Sequence, residues 1–516
     1  MLEFIGPASR LLFTLENILW INIGVFIGSV FAAIPGLTVI LCVILFLPFT
    51  YQMTAIPGMM FLLGIYCAGG YGGSVSAILI NTPGTPHAAA TMLDGHPLSK
   101  QGRTKAALKI ALYASTFGGI FSALMLLFLG PQVARVAAQL GTAEYFMVCL
   151  FGLTIIAGVS GRSMVKGIIS ACVGLLISCI GADPMTGYDR LTFGVGRLYL
   201  GLDLAVCLIG LFALVEILAK AELKPDALHL DAKKMEDSGV ITKEEYKRMA
   251  RPVLLSSLIG SLVGIIPGTG ASEASWFSYN TAKNMSKHPE EFGHGSVEGI
   301  AAAESANNAV TGGSLIPMLT LGIPGESVTA VLMGGLIIQG LTPGPDLFVG
   351  ETAKMTYTFF AGFVLIQFFM LGIGLLGCRG FAQISRLSDA ILIPAVSVLC
   401  VVGSYAIHKN FVDVVIMMIF GVLGYLCRKF DLNTAAIVLA LILGPIGEKG
   451  LRRSLALSGG NPAILFSTPV CWVLIALCVF GILSPIFMNR MEKNAVEQAG
   501  SDMLDETEDN PIRTSD

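Results

Sequence analysis

From residue 17 to residue 93 the chain carries no Asp, Glu, Lys or Arg. A helix needs only about 20 apolar residues to cross the hydrocarbon core of a bilayer, so this stretch must hold more than one span. The same absence of charge recurs at 110–134, 355–378 and 454–489. Over the whole chain 13% of residues are charged and 54% hydrophobic, against about 25% charged in soluble domains. A water-soluble fold does not generate such runs. A transmembrane β-barrel would alternate apolar and polar residues along each strand, whereas Leu41-Cys42-Val43-Ile44-Leu45-Phe46-Leu47 is apolar at every position. The expected fold is an all-α polytopic membrane protein with about 10–14 transmembrane segments.

The remaining composition narrows the function classes. The 11 cysteines are scattered and form no CxxC or Cys/His cluster, so neither a disulfide framework nor a zinc site is expected. A net charge of −3 argues against a nucleic-acid partner. No GxxxxGK[ST] loop for nucleotide phosphates and no GxSxG nucleophile motif occurs, so the chain is not expected to be an enzyme, and no cofactor is expected. The N-terminal ten residues make a poor signal-peptide head, and the apolar run after them is too long for one. That run is expected to stay in the membrane.

Charge placement gives an organisation. Residues 1–219 form an N-terminal membrane half and 253–490 a C-terminal one. Between them lies a polar linker at 220–252, rich in Lys and Arg. By the excess of Lys and Arg on the cytoplasmic side, this linker and the 95–109 loop are expected inside, as are Arg162 and Lys166. The 183–199 loop is then expected outside. Residues 491–516 form an acidic tail without apolar periodicity, expected to be disordered.

The two halves echo each other. Gly28-Ser29-Val30-Phe31-Ala32-Ala33-Ile34-Pro35-Gly36 resembles Gly260-Ser261-Leu262-Val263-Gly264-Ile265-Ile266-Pro267-Gly268, at an offset of 232. Gly72-Gly73-Ser74, leading to Asn81-Thr82-Pro83-Gly84-Thr85, resembles Gly312-Gly313-Ser314, leading to Gly322-Ile323-Pro324-Gly325-Glu326, at 240–241. Proline inside a helix removes a hydrogen bond and clashes with the preceding turn. Glycine beside it opens backbone conformations closed to other residues. The chain should therefore break at 34–36, 82–85, 266–270 and 323–326, as interrupted or re-entrant helices in two homologous halves, expected to be inverted. Backbone broken at membrane depth is tolerated where it lines a cavity or is buried in protein. Matched breaks in two halves are the sequence pointer to a transport site, with helix N-termini aimed at an anion.

Candidate substrate contacts follow from these positions: Asn81, Thr82, Pro83, Gly84, Thr85, Gly268, Thr269, Gly270, Asn307, Asn308, Pro324 and Gly325. Ionisable groups at membrane depth are costly and usually functional, which makes Glu273, Glu304 and Glu326 the candidates for holding a coupling Na⁺ or H⁺. The bland alternatives are interface placement for the acids and interhelical hydrogen bonds for the amides.

Several of these segments resemble a known family. Phe277-Ser278-Tyr279, Ser286-Lys287-His288-Pro289-Glu290-Glu291-Phe292-Gly293, Ser305-Ala306-Asn307-Asn308-Ala309, Leu315-Ile316-Pro317-Met318-Leu319-Thr320-Leu321-Gly322-Ile323-Pro324-Gly325 and Pro343-Gly344-Pro345 look like the large membrane subunit of the tripartite tricarboxylate transporters. So does Gly69-Gly70-Tyr71-Gly72-Gly73-Ser74 with Asn81-Thr82-Pro83-Gly84. The resemblance spans roughly 15–490. It implies a multi-pass carrier of the bacterial inner membrane, driven by an ion gradient, that takes up a di- or tricarboxylate. It also implies two partners, a small membrane subunit of about four spans and a periplasmic solute-binding protein. Glu326 stands where the family pattern leads one to expect a small residue, and Ala303 where it leads one to expect proline. An acid at a helix tip repels an anion unless it is protonated or ion-bound. A passive carboxylate channel and a non-transporting scaffold are the rival readings.

Overall fold

The computed structural model describes residues 2–159, 163–183, 185–222, 239–384 and 389–482. The acidic tail, residues 223–238 of the expected linker and Arg162 lie outside the described residues. Among the described residues the chain is helical throughout, apart from a short hairpin pairing Gly181–Ala182 with Asp189–Arg190. Among the described residues nine helices are long and apolar enough to cross a membrane, and five shorter apolar helices accompany them. The all-α polytopic fold is thus the one expected.

A short helix α1 (Leu2–Leu12) precedes α2 (Leu15–Ala32), α3 (Val39–Phe46), α4 (Ala55–Ile80), α5 (Ala89–Lys100) and α6 (Thr104–Ala137). Next come α7 (Thr142–Val159), α8 (Met164–Ser178), α9 (Leu204–Leu208) and α10 (Val215–Glu222), the last two joined by a π-helical turn at Ile209–Leu214. The second half holds α11 (Lys243–Ile265), α12 (Ala271–Met285), α13 (Val297–Leu321), α14 (Ser327–Ile338) and α15 (Gly350–Ile384). It ends with α16 (Asp389–His408), α17 (Phe411–Lys429), α18 (Thr434–Leu457) and a helix at Pro469–Ile482.

All four expected breaks separate helices: α2 from α3, α4 from α5, α11 from α12 and α13 from α14. One boundary differs from expectation. Helix α11 begins at Lys243, inside the stretch assigned to the linker, because Thr242 and Glu245 form a capping box. That reciprocal pair satisfies two orphan N–H groups and starts the helix ahead of its apolar portion.

Helices α4 and α13 sit at the centre, buried along almost their whole length. Helix α13 is too polar to count among the nine apolar helices. It is enclosed by protein, and Glu304, Asn307 and Ser314 find partners on neighbouring helices. The two central helices cross antiparallel. Tyr66 of α4 lies against Ser314 of α13, Gly70 against Asn307, and Ser74 against Glu304.

Glycines set the closest approaches, and they recur. A Cβ at Gly28 would strike the Ile65 carbonyl, and one at Gly260 the Ala306 carbonyl. Gly72 abuts the Ser29 carbonyl as Gly313 abuts that of Ser261. Gly84 abuts the Ala32 carbonyl as Gly325 abuts that of Gly264. Each contact in the first half maps onto its counterpart by adding 232 on one strand of the pairing and 241 on the other. Small residues of this kind let helix backbones pack without intervening side chains.

The remaining helices flank this centre. Helices α7 and α8 pack on α18, while α9, the π turn and α10 pack on α16 and α17. Contacts of α14 with α9 and α18, and of α3 with the π turn, join the two groups.

Candidate functional site

The helices that follow the four breaks all begin at one place. A cavity of about 300 Å³ is lined by Thr38, Val39 and Ile40 at the start of α3, and by Thr85, Pro86 and His87 leading into α5. From the second half come Gly268, Gly270 and Glu273 at the start of α12, and Pro324, Glu326 and Ser327 at the start of α14. Phe212 on the π turn, with Ala435 and Leu439 of α18, closes it with an apolar wall. π-Helical turns are frequent at functional sites.

Backbone geometry holds the breaks open. Gly36 and Gly268 have φ of 79° and 85°, and Asn81 and Gly322 have 56° and 71°. These are left-handed conformations that glycine, and to a lesser degree asparagine, adopt without strain. The Gly268 N–H donates to the Gly325 carbonyl at 2.8 Å, tying the two second-half breaks together.

A helix N-terminus carries about half a unit of positive charge and N–H groups without intrahelical partners. Four such ends around one cavity make it attractive to anions. The two halves treat those ends differently. In the first half the caps are neutral. Thr38 Oγ1 accepts from the Leu41 N–H at 3.3 Å, and the Thr85 hydroxyl, 1% exposed, has no partner among the described residues. In the second half the ends carry acids. Glu273 Oε2 accepts from the Gly270 N–H at 2.9 Å. Glu326 caps α14, its own N–H donating to Thr329 Oγ1 at 3.0 Å. Its carboxylate accepts from the Tyr66 hydroxyl, which lies 2.9 Å from Ser314 Oγ. A Cβ on Gly270 would stand 3.2 Å from Glu273 Oε2 and 3.5 Å from Glu326 Oε2, so both carboxylates flank one spot. Among the described residues no Lys or Arg lines the cavity.

Of the residues singled out from the sequence, Thr85, Gly268, Gly270, Pro324, Glu273 and Glu326 line this cavity. The others lie elsewhere. Asn81 is the exposed C-cap of α4, and the Thr82 hydroxyl donates to the Ile80 carbonyl at 3.4 Å. Pro83, Gly84 and Gly325 belong to the breaks but not to the lining. Thr269 turns its hydroxyl back onto the carbonyls of Val263 and Ile266, at 2.6 and 2.8 Å.

Asn307 and Asn308 sit where α4 and α13 cross. Asn307 Nδ2 donates to the Gly70 carbonyl at 3.2 Å. Asn308 is wholly buried, with neither amide atom partnered among the described residues. A Cβ on Gly70 would come within 3.2 Å of its Oδ1. Glu304 is also wholly buried and away from the lining. It accepts hydroxyl hydrogen bonds from Ser74 of α4, from Thr91 of α5 at 2.5 Å and from Ser115 of α6 at 2.7 Å.

Sequence reading missed Thr38, Val39, Ile40, Pro86, His87 and Ser327. The repeat itself held a signal for two of them. Thr38 stands 232 before Gly270, and Pro86 stands 241 before Ser327. Phe212, Ala435 and Leu439 had no local signal.

Comparison with known proteins agrees with the family resemblance. A family model described as the tripartite tricarboxylate transporter TctA family matches residues 18–439. An uncharacterized 52.8 kDa protein of Agrobacterium vitis, encoded in the TAR-I ttuC′ 3′ region, is 35% identical over 492 residues, covering 93% of this chain and 96% of that one. A second A. vitis protein, from the TAR-II ttuC′ 3′ region and likewise uncharacterized, is 36% identical over 244 residues, covering 46% of this chain and 99% of its own length. No solved structure matches.

Proposed function

Since this chain belongs to the tripartite tricarboxylate transporter TctA family, we propose that it is the large permease subunit of a binding-protein-dependent carrier that takes up a di- or tricarboxylate across the bacterial inner membrane. A periplasmic solute-binding protein delivers the substrate, and a small membrane subunit of about four spans completes the assembly. Uptake is secondary active transport, driven by a Na⁺ or H⁺ gradient.

The observation that supports this most is the convergence of four helix N-termini on one cavity. The neutral ends at Thr38 and Thr85 suit substrate carboxylates through backbone N–H groups. Glu273 and Glu326 suit the coupling ion, and their charge must be neutralised before an anion shares the cavity. A carrier built this way loads cation and carboxylate together. Glu304, which accepts from three hydroxyls and forms no ion pair with a described residue, is a second candidate for a proton or Na⁺.

The recurrent glycine contacts at offsets of 232 and 241, with the antiparallel crossing of α4 and α13, support two homologous halves of inverted topology. Inverted repeats around a midplane site serve alternating access. The break-bearing helices would move against the apolar wall formed by Phe212, Ala435 and Leu439.

The test is carboxylate uptake into vesicles containing this chain and both partners, with Na⁺ and pH varied separately. Uptake should follow one of the two gradients and require the binding protein. Uptake indifferent to both gradients would make the chain a passive channel. No uptake from a complete, folded assembly would leave it a scaffold.

A further inference from the structure

A second cavity, unlike the first, lies roughly 20 Å away along α11, taking 1.5 Å per residue. It has a volume of about 430 Å³ and sits between the first turns of α11, the end of α12 and the start of α13. Lys247, Arg248 and Arg251 reach it from α11, and Lys287 and His288 from the segment after α12. Arg248 is already matched, with Nε 2.9 Å from Glu298 and a terminal nitrogen 2.5 Å from Glu291. Lys247 stands 4.0 Å from Glu244. Those pairings use both acids that line the cavity, Glu244 and Glu298. Arg251 and Lys287 form no ion pair with a described residue, which leaves the cavity with uncompensated positive charge.

The cavity floor has the opposite character. Pro252, Leu255, Ala282 and Met285 line it. From there α11 continues with Leu254, Leu258 and Leu262 exposed, a stripe at intervals of four residues, and α12 exposes Phe277. A cationic rim over an apolar floor that opens onto an exposed apolar stripe matches the division of a phospholipid into headgroup and acyl chain. The rim belongs to the Lys/Arg-rich end of the bundle, the end that the charge bias assigns to the cytoplasm. Basic pockets between membrane helices on that side suit anionic headgroups.

We propose that this cavity binds an anionic phospholipid of the cytoplasm-facing leaflet. Arg251 and Lys287 hold the phosphate, and an acyl chain lies along Leu254, Leu258 and Leu262. A soluble phosphate offers the same anion without the chain, which gives the test a way to separate the two sources.

The full chain would be reconstituted in nanodiscs of phosphatidylglycerol or of phosphatidylcholine with identical acyl chains. Thermal unfolding and native mass spectrometry of retained lipid would be read on each. Phosphatidylglycerol should raise the unfolding midpoint above phosphatidylcholine and be retained preferentially. Both differences should be lost in the double variant Arg251→Ala/Lys287→Ala and kept in the remote control Lys354→Ala. Both substituted positions are exposed, and mass spectrometry counts lipid on the folded fraction, so a less stable variant still reports. Equal behaviour of the two lipids, or undiminished preference in the double variant, would overturn the proposal. So would an equal rise in midpoint from inorganic phosphate added to lipid-free protein in detergent.

Discussion

Asn81 and Gly322 close α4 and α13 in the same left-handed backbone conformation, with φ of 56° and 71°. They stand 241 residues apart, at matching places in the two halves. Asparagine reaches that conformation at modest cost, and alanine is penalised there by about 1–2 kcal/mol. Asn81→Gly should therefore fold as well as the parent, and Asn81→Ala should lose about 1–2 kcal/mol, read by unfolding in detergent. Carboxylate uptake should survive Asn81→Gly. If uptake fails in a well-folded Asn81→Gly protein, the side chain contacts substrate directly.

Tyr66 and Glu326 join the first-half central helix to a second-half helix tip. Tyr66→Phe removes a donor from a carboxylate that is 9% exposed, which should cost about 1–3 kcal/mol. Glu326→Gln keeps the shape but cannot hold a charge. In vesicles it should weaken or abolish the dependence of uptake on the coupling gradient. Gradient dependence unchanged from the parent would remove Glu326 from the coupling site.

The glycine contacts make a paired prediction. Gly28→Ala and Gly260→Ala each push a methyl group into a backbone carbonyl of the neighbouring central helix. Backbone has no rotamer by which to yield, so each should cost about 1–3 kcal/mol, and by similar amounts. A large cost at one position with none at the other would show that the two halves do not pack equivalently.

Outside the membrane segments, Asp183 links pH to stability. The hydrogen bond from Arg452 at 2.6 Å, with those from the Met185 and Thr186 N–H groups, holds its carboxyl well below the usual carboxylate range. A depressed pKa stabilises the fold fully above the ordinary value of about 4, and that contribution is lost as pH falls through the folded value. Asp183→Asn should thus lower the unfolding midpoint equally at pH 8 and pH 5, and the gap to the parent should close on acidification below about pH 4. A gap that already closes between pH 8 and pH 5 would contradict the assignment.

Much of this was written in the sequence. The uncharged stretch from 17 to 93 fixed a membrane helix bundle, since charge-free runs of that length have no stable place in water. The proline-glycine pairs located every break, because a missing N–H and a permitted left-handed turn are properties of those residues themselves. The start of α11 at Lys243 was also legible, in the Thr242–Glu245 capping box, though the charge of the region hid it.

Tertiary structure decided which polar residues meet. Asn307 and Asn308 look like site residues in sequence, yet the crossing of α4 and α13 sets them against Gly70. Thr38, Pro86 and Phe212 look ordinary, yet the packing brings them to the cavity. A break is local chemistry and can be read residue by residue. The meeting of four helix ends depends on which glycines allow which backbones to touch, across separations of more than 200 residues, and only the folded chain expresses that.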